Sequence, residues 1–361
     1  MSTNENILKQ YVCKQPFEYL DIQSDSAHIC CPSWCPTDVK TNNEKIGWDD
    51  TIVKKIRKSV LDGSYKYCDK NVCPSLNKLL NTGVTEYNSP LVPKDKFLEH
   101  YPIKDISDID NINSDCKHLL FGFDRSCNLK CPSCRACVVP NDRINTKEHI
   151  NKVNILNTIE TKLAPTIESI LITGSGDPFY SNLYRNYLIN FDKSKYPNLK
   201  EIKIITNGNM LDEKLWNSLK SKEYIKTIEV SIDAGTESTY ENVTRLNGTW
   251  KKLMSNLNFL STLNSVSKFY LSFVVSELNY MEMGTFYDTI SNIFKGLTYE
   301  VVYRQHVYWA DGKYTEKEVN DIAVFNPTHS KHNEFLEQLQ SIYNKPNINH
   351  NFNHLVKKNI L

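Results

Sequence analysis

From residue 117 onward the chain alternates short apolar runs with stretches of helical spacing, and this alternation restricts the fold more than any other feature. HLLFGFD is an apolar run fit for a buried strand. INTKEHINKVNILNTIETKL (144–163) has helical spacing, with Ile150, Val153, Leu156 and Ile159 on one face. IESILITGSG (167–176), LKEIKIITNG (199–208), IKTIEVSID (225–233), KFYLSFVVS (268–276) and LTYEVVYRQH (297–306) read as further strands. Between the later ones lie the helical stretches 211–220, 250–263 and 281–294. Strands that alternate with helices imply a parallel sheet. About six such units are too few for a closed eight-stranded barrel, so the expected fold is α/β, a partial (β/α)6 TIM-like barrel. Each strand ends in small or polar residues: Gly174–Asp177, Asn207, Asp233, Ser276 and His306. In α/β barrels the loops after the strands build the site, so these residues are expected at one mouth.

The thiols are the second constraint. The chain has 361 residues and 11 cysteines, all before position 138. Cys13, Cys30, Cys31, Cys35, Cys68 and Cys73 form one group, and Cys116, Cys127, Cys131, Cys134 and Cys137 another. The N-terminus lacks the basic-then-apolar layout of a secretion signal, and no apolar run reaches the ~18 residues of a membrane span. The reading is a cytoplasmic protein, where clustered thiols point to metal or catalysis rather than disulfides. The formal net charge of +1 favours neither a nucleic-acid nor a membrane partner.

The stretch CNLKCPSCR places Cys127, Cys131 and Cys134 on one loop just after the first strand. Thiolates favour zinc, copper(I) or iron–sulfur clusters. A structural zinc site is closed by four protein ligands, and Cys116 or Cys137 would have to be the fourth. A cubane cluster is usually held by four cysteines, so three leave one iron open to a further ligand.

FDRSCNLKCPSCR resembles the CxxxCxxC signature of the radical S-adenosylmethionine superfamily. The resemblance implies that Cys127, Cys131 and Cys134 hold a [4Fe–4S] cluster whose fourth iron binds S-adenosylmethionine. One electron from the cluster then splits a carbon–sulfur bond, and the resulting 5′-deoxyadenosyl radical takes hydrogen from a substrate. Many members have an aromatic residue before the third cysteine, where this chain has Ser133. Gly174, Ser175, Gly176 and Asp177 resemble the motif that holds the amino group of the methionine moiety. Asn207, Ser231 and Asp233 resemble polar residues that face the cofactor, and Arg245 resembles an arginine that pairs with its carboxylate. Each of these taken singly would serve as a cap, turn or solvated charge; their order after successive strands carries the weight. His306, Tyr308 and Trp309 are candidates for substrate contact or packing.

Residues 1–75, with a possible hairpin in FEYLDIQSDSAHICC, resemble a SPASM or twitch module, which carries an auxiliary iron–sulfur cluster. Such modules usually follow the barrel, whereas here the segment precedes it. The implied ligands are Cys13, Cys30 (or Cys31), Cys68 and Cys73, and zinc on the same thiols is the alternative. The expected organisation is a cysteine-rich module at 1–75, a connector at 76–115, the barrel at 116–310 and a helical extension at 311–361. The expected function is a radical enzyme acting on a peptide, or else on a sugar or glycan precursor, with flavodoxin or ferredoxin as reductant. The reading from a different class is a zinc-stabilised, non-catalytic binding protein on the same barrel.

Overall fold

The computed structural model describes residues 3–35, 46–48, 50–85, 89–101, 103, 105, 108–109, 115–172, 176–305, 315–352 and 355. The chain divides into two compact units, one of residues 1–124, 143–171 and 192–200, the other of 125–142, 172–191 and 201–361.

The first unit contains β1 (Tyr11–Cys13), β2 (Tyr19–Ile22), β3 (Ala27–His28), β4 (Leu91–Pro93), β5 (His118–Phe121) and most of β6 (Ser169–Ile172). β1 pairs antiparallel with β4, so that Cys13 lies opposite Leu91. The others are ordered β3-β2-β5-β6, with β2 antiparallel to β3 and parallel to β5. The hairpin expected in FEYLDIQSDSAHICC is therefore β2–β3, closed by Gln23 N donating to Ser26 O at 2.8 Å. The Asp50 carboxylate caps the helix Thr51–Leu61 by accepting from Ile52 N at 3.0 Å. That helix buries Val53, Ile56 and Val60 on one stripe. Arg57 is buried on the same side; its Nε donates to Pro16 O at 2.7 Å and its guanidinium lies 4.6 Å from the Trp48 ring centroid.

The stretch 76–115, which its composition presents as a connector, carries regular structure. It holds most of the helix Pro74–Thr82, strand β4 and the helix Lys94–His100. Leu76, Leu79, Leu91 and Phe97 share a core with Val12, Phe17 and Val60. Pro and Asn obscured this in the sequence: Pro74 opens a helix and Pro93 ends a short strand. The helix expected within 144–163 spans Lys147–Thr158 and continues as a π-helical turn, Ile159–Leu163. Its buried side chains are Ile155, Thr158 and Ile159, whereas Ile150 is 48% exposed, so the apolar face is not buried along its whole length.

The second unit contains β7 (Glu201–Thr206), β8 (Ile225–Ser231), β9 (Lys268–Val275), β10 (Tyr299–Gln305) and β11 (Ile348–His350). They run side by side in that order, each neighbour parallel. The strands β5 to β10 are the six expected from the sequence, with helices between them as the βα pattern requires. The fold is α/β with the repeat of a partial barrel. Burial alternates along β7, where Ile202, Ile204 and Thr206 are buried. The helix Asn182–Ile189 and the strand β11 are additional; the region 311–361 holds the helix His332–Tyr343 and also β11. Gly208 ends the first turn after β7 at φ 76°, and a Cβ there would meet Leu253 Cδ1 and Val230 Cγ1 at 2.8 Å, so glycine is required twice over. His306, Tyr308 and Trp309 lie outside the described residues.

Candidate metal and cofactor centre

All described barrel-site candidates belong to the second unit. The three-cysteine loop is closed at its base by an antiparallel bridge: Cys127 N donates to Val139 O at 2.9 Å, and Val139 N to Cys127 O at 3.3 Å. Inside it, Cys134 N and Arg135 N both donate to Cys131 O at 2.9 Å, which turns the third thiol back toward the second. Asn247 Nδ2 donates to Asn128 O at 2.8 Å and Lys130 N donates to Leu246 O at 2.9 Å, so the loop is also held from its far side.

Each of the three sulfurs faces its own nitrogen donor. Asn207 Nδ2 lies 3.9 Å from Cys127 Sγ, Arg245 Nη1 lies 3.5 Å from Cys131 Sγ, and Arg135 Nη2 lies 3.4 Å from Cys134 Sγ. Cys127 and Cys131 are buried and Cys134 is half-buried. Burial pushes the Cys127 thiol up to about 11; the nearby Asp177 charge adds to this and Arg135 opposes it. Burial likewise raises Cys131, against the pull of Arg245. These thiols become thiolates only with positive charge beside them, which a metal centre supplies.

Asp177 sits at the heart of the next loop. It is 1% exposed, and both carboxylate oxygens are engaged. Oδ1 accepts from Phe179 N at 3.0 Å and Tyr180 N at 3.1 Å; Oδ2 accepts from Thr206 Oγ1 and Asn207 N, each at 2.8 Å. Its own N donates to Ser126 O at 2.8 Å. The carboxylate thus joins the loop after β6 to the end of β7. Burial raises its pKa despite these bonds. Gly176 is half-buried, and Gly174 and Ser175 lie outside the described residues.

Asn207 links three of these segments. Its Nδ2 reaches Asn128 Oδ1 at 2.9 Å as well as the Cys127 sulfur, and its Oδ1 accepts from Asn209 N at 3.0 Å. Ser231 lies at the end of β8, opposite Ser272, whose Oγ is 3.4 Å away. Asp233 adopts φ 59°, a left-handed conformation that a side chain makes costly. Its Oδ1 accepts from Val274 N at 2.8 Å and its Oδ2 meets Arg245 Nη2 at 2.6 Å. Asn279 clamps the backbone by donating to Asp233 O at 2.9 Å and Val274 O at 2.8 Å. Burial raises the Asp233 pKa, and Arg245 opposes it. Arg245 Nε is buried without an acceptor among the described residues. A cleft beside this group is lined by Pro132, Ser133, Asp233, Thr244, Ser276 and Asn279.

The thiols expected to form the N-terminal site, Cys13, Cys30, Cys68 and Cys73, all belong to the first unit, as does Cys35. Cys13, Cys68 and Cys73 pack on one core. Asp69 N donates to Trp34 O at 2.8 Å, which draws the 34–35 turn against the 68–69 turn. Burial pushes Cys13 up to about 12, with charge repulsion from Cys73 and Cys35; burial also raises Cys30, with repulsion from Cys13, Cys35 and Cys73. Cys116 is buried elsewhere, its Sγ 3.8 Å from His118 O, and Cys137 is exposed. Among the described residues no three Cys, His, Asp or Glu side chains are drawn together closely enough for one metal ion. A cubane binds its thiolates at separate irons and does not require that convergence.

The residues at the thiol loop that sequence reasoning missed are Arg135 and Asn128, and Cys35 was named in the first thiol group without a role. Arg135 directly follows the third thiol and Cys35 stands four residues after Cys31, so adjacency to thiols was the available signal.

A sequence model described as "Radical SAM superfamily" matches residues 123–290. Residues 123–290 thus resemble this superfamily, whose members use a [4Fe–4S] cluster and S-adenosylmethionine. No curated protein sequence matches the chain. Among solved structures it is similar to Streptococcus suis SuiB bound to precursor peptide SuiA, with 17% identity and TM-score 0.46, over 84% of this chain and 63% of that one. It is similar to anSMEcpe with bound AdoMet at 19% identity and TM-score 0.40, over 55% of this chain and 54% of that one. TYW1 with a lysine-pyruvate adduct bound aligns at 15% identity and TM-score 0.36, over 63% of this chain and 71% of that one. The chain thus spans less than two thirds of the length of the first two.

The donor set fits the superfamily's cofactors. Three thiols are grouped on one closed loop, each with a nitrogen donor. The unmet Arg245 Nε beside them suits a carboxylate.

Proposed function

We propose that this chain is a radical S-adenosylmethionine enzyme acting on a peptide. Cys127, Cys131 and Cys134 hold the [4Fe–4S] cluster. Bound there, the cluster and S-adenosylmethionine supply one-electron cleavage of the cofactor's carbon–sulfur bond and hydrogen abstraction from the substrate. The observation that carries the reading is Arg245: one nitrogen on the Cys131 sulfur, one on Asp233, and Nε buried with no acceptor.

Arg245 binds the cofactor's carboxylate through that nitrogen, and Asp233 fixes the guanidinium plane while it does so. Gly174, Ser175, Gly176 and Asp177 form the loop for the methionine moiety, in which Asp177 acts by fixing the backbone. Asn207 and Ser231 face the rest of the cofactor. Cys13, Cys30, Cys68 and Cys73 hold a second cluster in the N-terminal segment. The division into a module at 1–75, a joining stretch at 76–115, a barrel at 116–310 and an extension at 311–361 belongs to the same proposal. A flavodoxin or ferredoxin supplies the electron. CNLKCPSC resembles loops of both peptide-modifying and sugar-modifying members, so a sugar or glycan precursor is the alternative substrate.

The test is anaerobic reconstitution with iron and sulfide, then reduction with S-adenosylmethionine present. Formation of methionine and 5′-deoxyadenosine supports the reading. Stoichiometric zinc with no cofactor cleavage overturns it, and turnover of a glycan instead of a peptide overturns the substrate class.

A further inference from the structure

Arg135 is 3% exposed although it carries a full charge. Three of its polar contacts lie on the thiol loop and its approach: Nη2 to Cys134 Sγ at 3.4 Å, Nη1 to Arg125 O at 2.9 Å, and its backbone N to Cys131 O at 2.9 Å. The guanidinium is therefore anchored to the segment that bears the thiols and moves with it. Its charge also acts on Cys134, Cys127 and Cys131 together. Arg245, the other guanidinium at these sulfurs, shares its charge with Asp233 at 2.6 Å. Burying a guanidinium costs free energy unless its surroundings are strongly polar or anionic. Three thiolates around an iron–sulfur cluster provide such surroundings.

We propose that Arg135 is a positioning residue for the cluster, one that fixes Cys134 in its ligating orientation and raises the cluster's reduction potential. The inference rests on the functional reading above. Reduction adds one electron to a cluster already carrying thiolate charge. A cation and a hydrogen bond at a ligand sulfur favour the more negative state, so they move the potential upward. In the test the electron comes from dithionite and takes the cluster from the 2+ to the 1+ state. Arg135 neither gives nor takes a proton in this step.

The experiment is a redox titration of the reconstituted full-length protein followed by electron paramagnetic resonance. The barrel cluster is recognised as the signal that changes when S-adenosylmethionine is added. Arg135→Met is expected to retain a cluster whose reduction equilibrium is at least tenfold less favourable, a fall of about 59 mV for one electron. Arg135→Lys keeps the charge and loses the two-armed contact, and is expected to fall by less. An Arg135→Met potential equal to wild type overturns the proposal, as does lower iron content with an unchanged potential in the cluster that remains. If Arg135→Met takes up no iron, Arg135→Gln decides by the same measurement, and a wild-type potential there overturns the proposal. A wild-type protein with no signal that responds to S-adenosylmethionine instead rejects the functional reading on which the proposal stands.

Discussion

Arg245 and Asp233 form a buried ion pair, Nη2 to Oδ2 at 2.6 Å, and the aspartate holds it from a left-handed backbone conformation at φ 59°. Such a conformation persists only where its surroundings over-determine it. Asn279 and Val274 do so here, bonding the Asp233 carbonyl and carboxylate. The strain sits beside the Arg245 Nε, which is buried with no acceptor among the described residues. Removing either partner leaves the other as an uncompensated buried charge.

Arg245→Ala is expected to weaken S-adenosylmethionine binding by roughly ten- to a hundredfold, the equivalent of about 1.5–3 kcal/mol for one charge-assisted contact. Iron content stays at the wild-type level. Equilibrium binding to the reconstituted protein checks both, and unaltered affinity removes Arg245 from the cofactor site.

Alanine at Cys127, Cys131 or Cys134 is expected to remove one cluster's worth of iron and all cleavage of S-adenosylmethionine. Cys137→Ala, at an exposed thiol, leaves both intact. Iron and sulfide analysis with a cleavage assay distinguishes a three-thiol site from a four-thiol one, since the latter would fail at Cys137 as well.

Asp177→Ala breaks four hydrogen bonds at once. It is expected to cost about 3 kcal/mol or more in stability, because buried N–H groups lose their acceptor. A thermal melt of the apo-protein reads this without any cofactor. A variant that melts like wild type and loses only cofactor affinity would make Asp177 a direct contact instead.

The N-terminal thiols separate by substitution. Alanine at Cys13, Cys30, Cys68 or Cys73 is expected to lower iron by a second increment while cleavage of S-adenosylmethionine survives, and Cys35→Ala to keep its iron. Circular dichroism runs alongside, since loss of a metal site can unfold a small module. If Cys35→Ala loses iron and Cys30→Ala does not, the ligand set includes Cys35 in place of Cys30.

Glu18 gives the first unit a pH dependence. Burial pushes its carboxyl up, but the Lys117 ammonium 3.0 Å away, with Lys14 and the Tyr101 hydroxyl, brings it below the ordinary value. A depressed folded pKa adds stability above the unfolded value of about 4.3 and loses it as pH falls through the folded one. Glu18→Gln is expected to lower the melting temperature at neutral pH, and the gap to wild type closes as the acid end of that window is passed. A gap of constant size from neutral to acid pH would show that charge at Glu18 is not the cause.

The strands from β5 to β10 were legible because each is a compact apolar run ending in a small or polar residue, and burial by neighbours on both sides leaves that pattern intact. The helix face over Lys147–Thr158 was not. Ile150 fits a 3.6-residue repeat as well as Ile155 does, yet the latter is buried and the former exposed. Periodicity fixes the spacing of a stripe but not which stripe meets the core. Asp177 was visible as a position and not as a role, since only folded geometry brings Thr206 and Asn207 onto its carboxylate. Cys35 and Arg135 needed contacts made by distant backbone or by a side chain folding back on its own loop, which spacing does not encode.

The bridge between Cys127 and Val139 bears on how the protein meets iron. Ligands scattered on a floppy loop must be ordered at the moment of metal capture, and that ordering subtracts from affinity. Here two backbone bonds, neither made by a thiol, tie the ends of the loop together. The polypeptide's own bonds thus bear part of that ordering, and less of it is left for a cluster to impose on these three thiols.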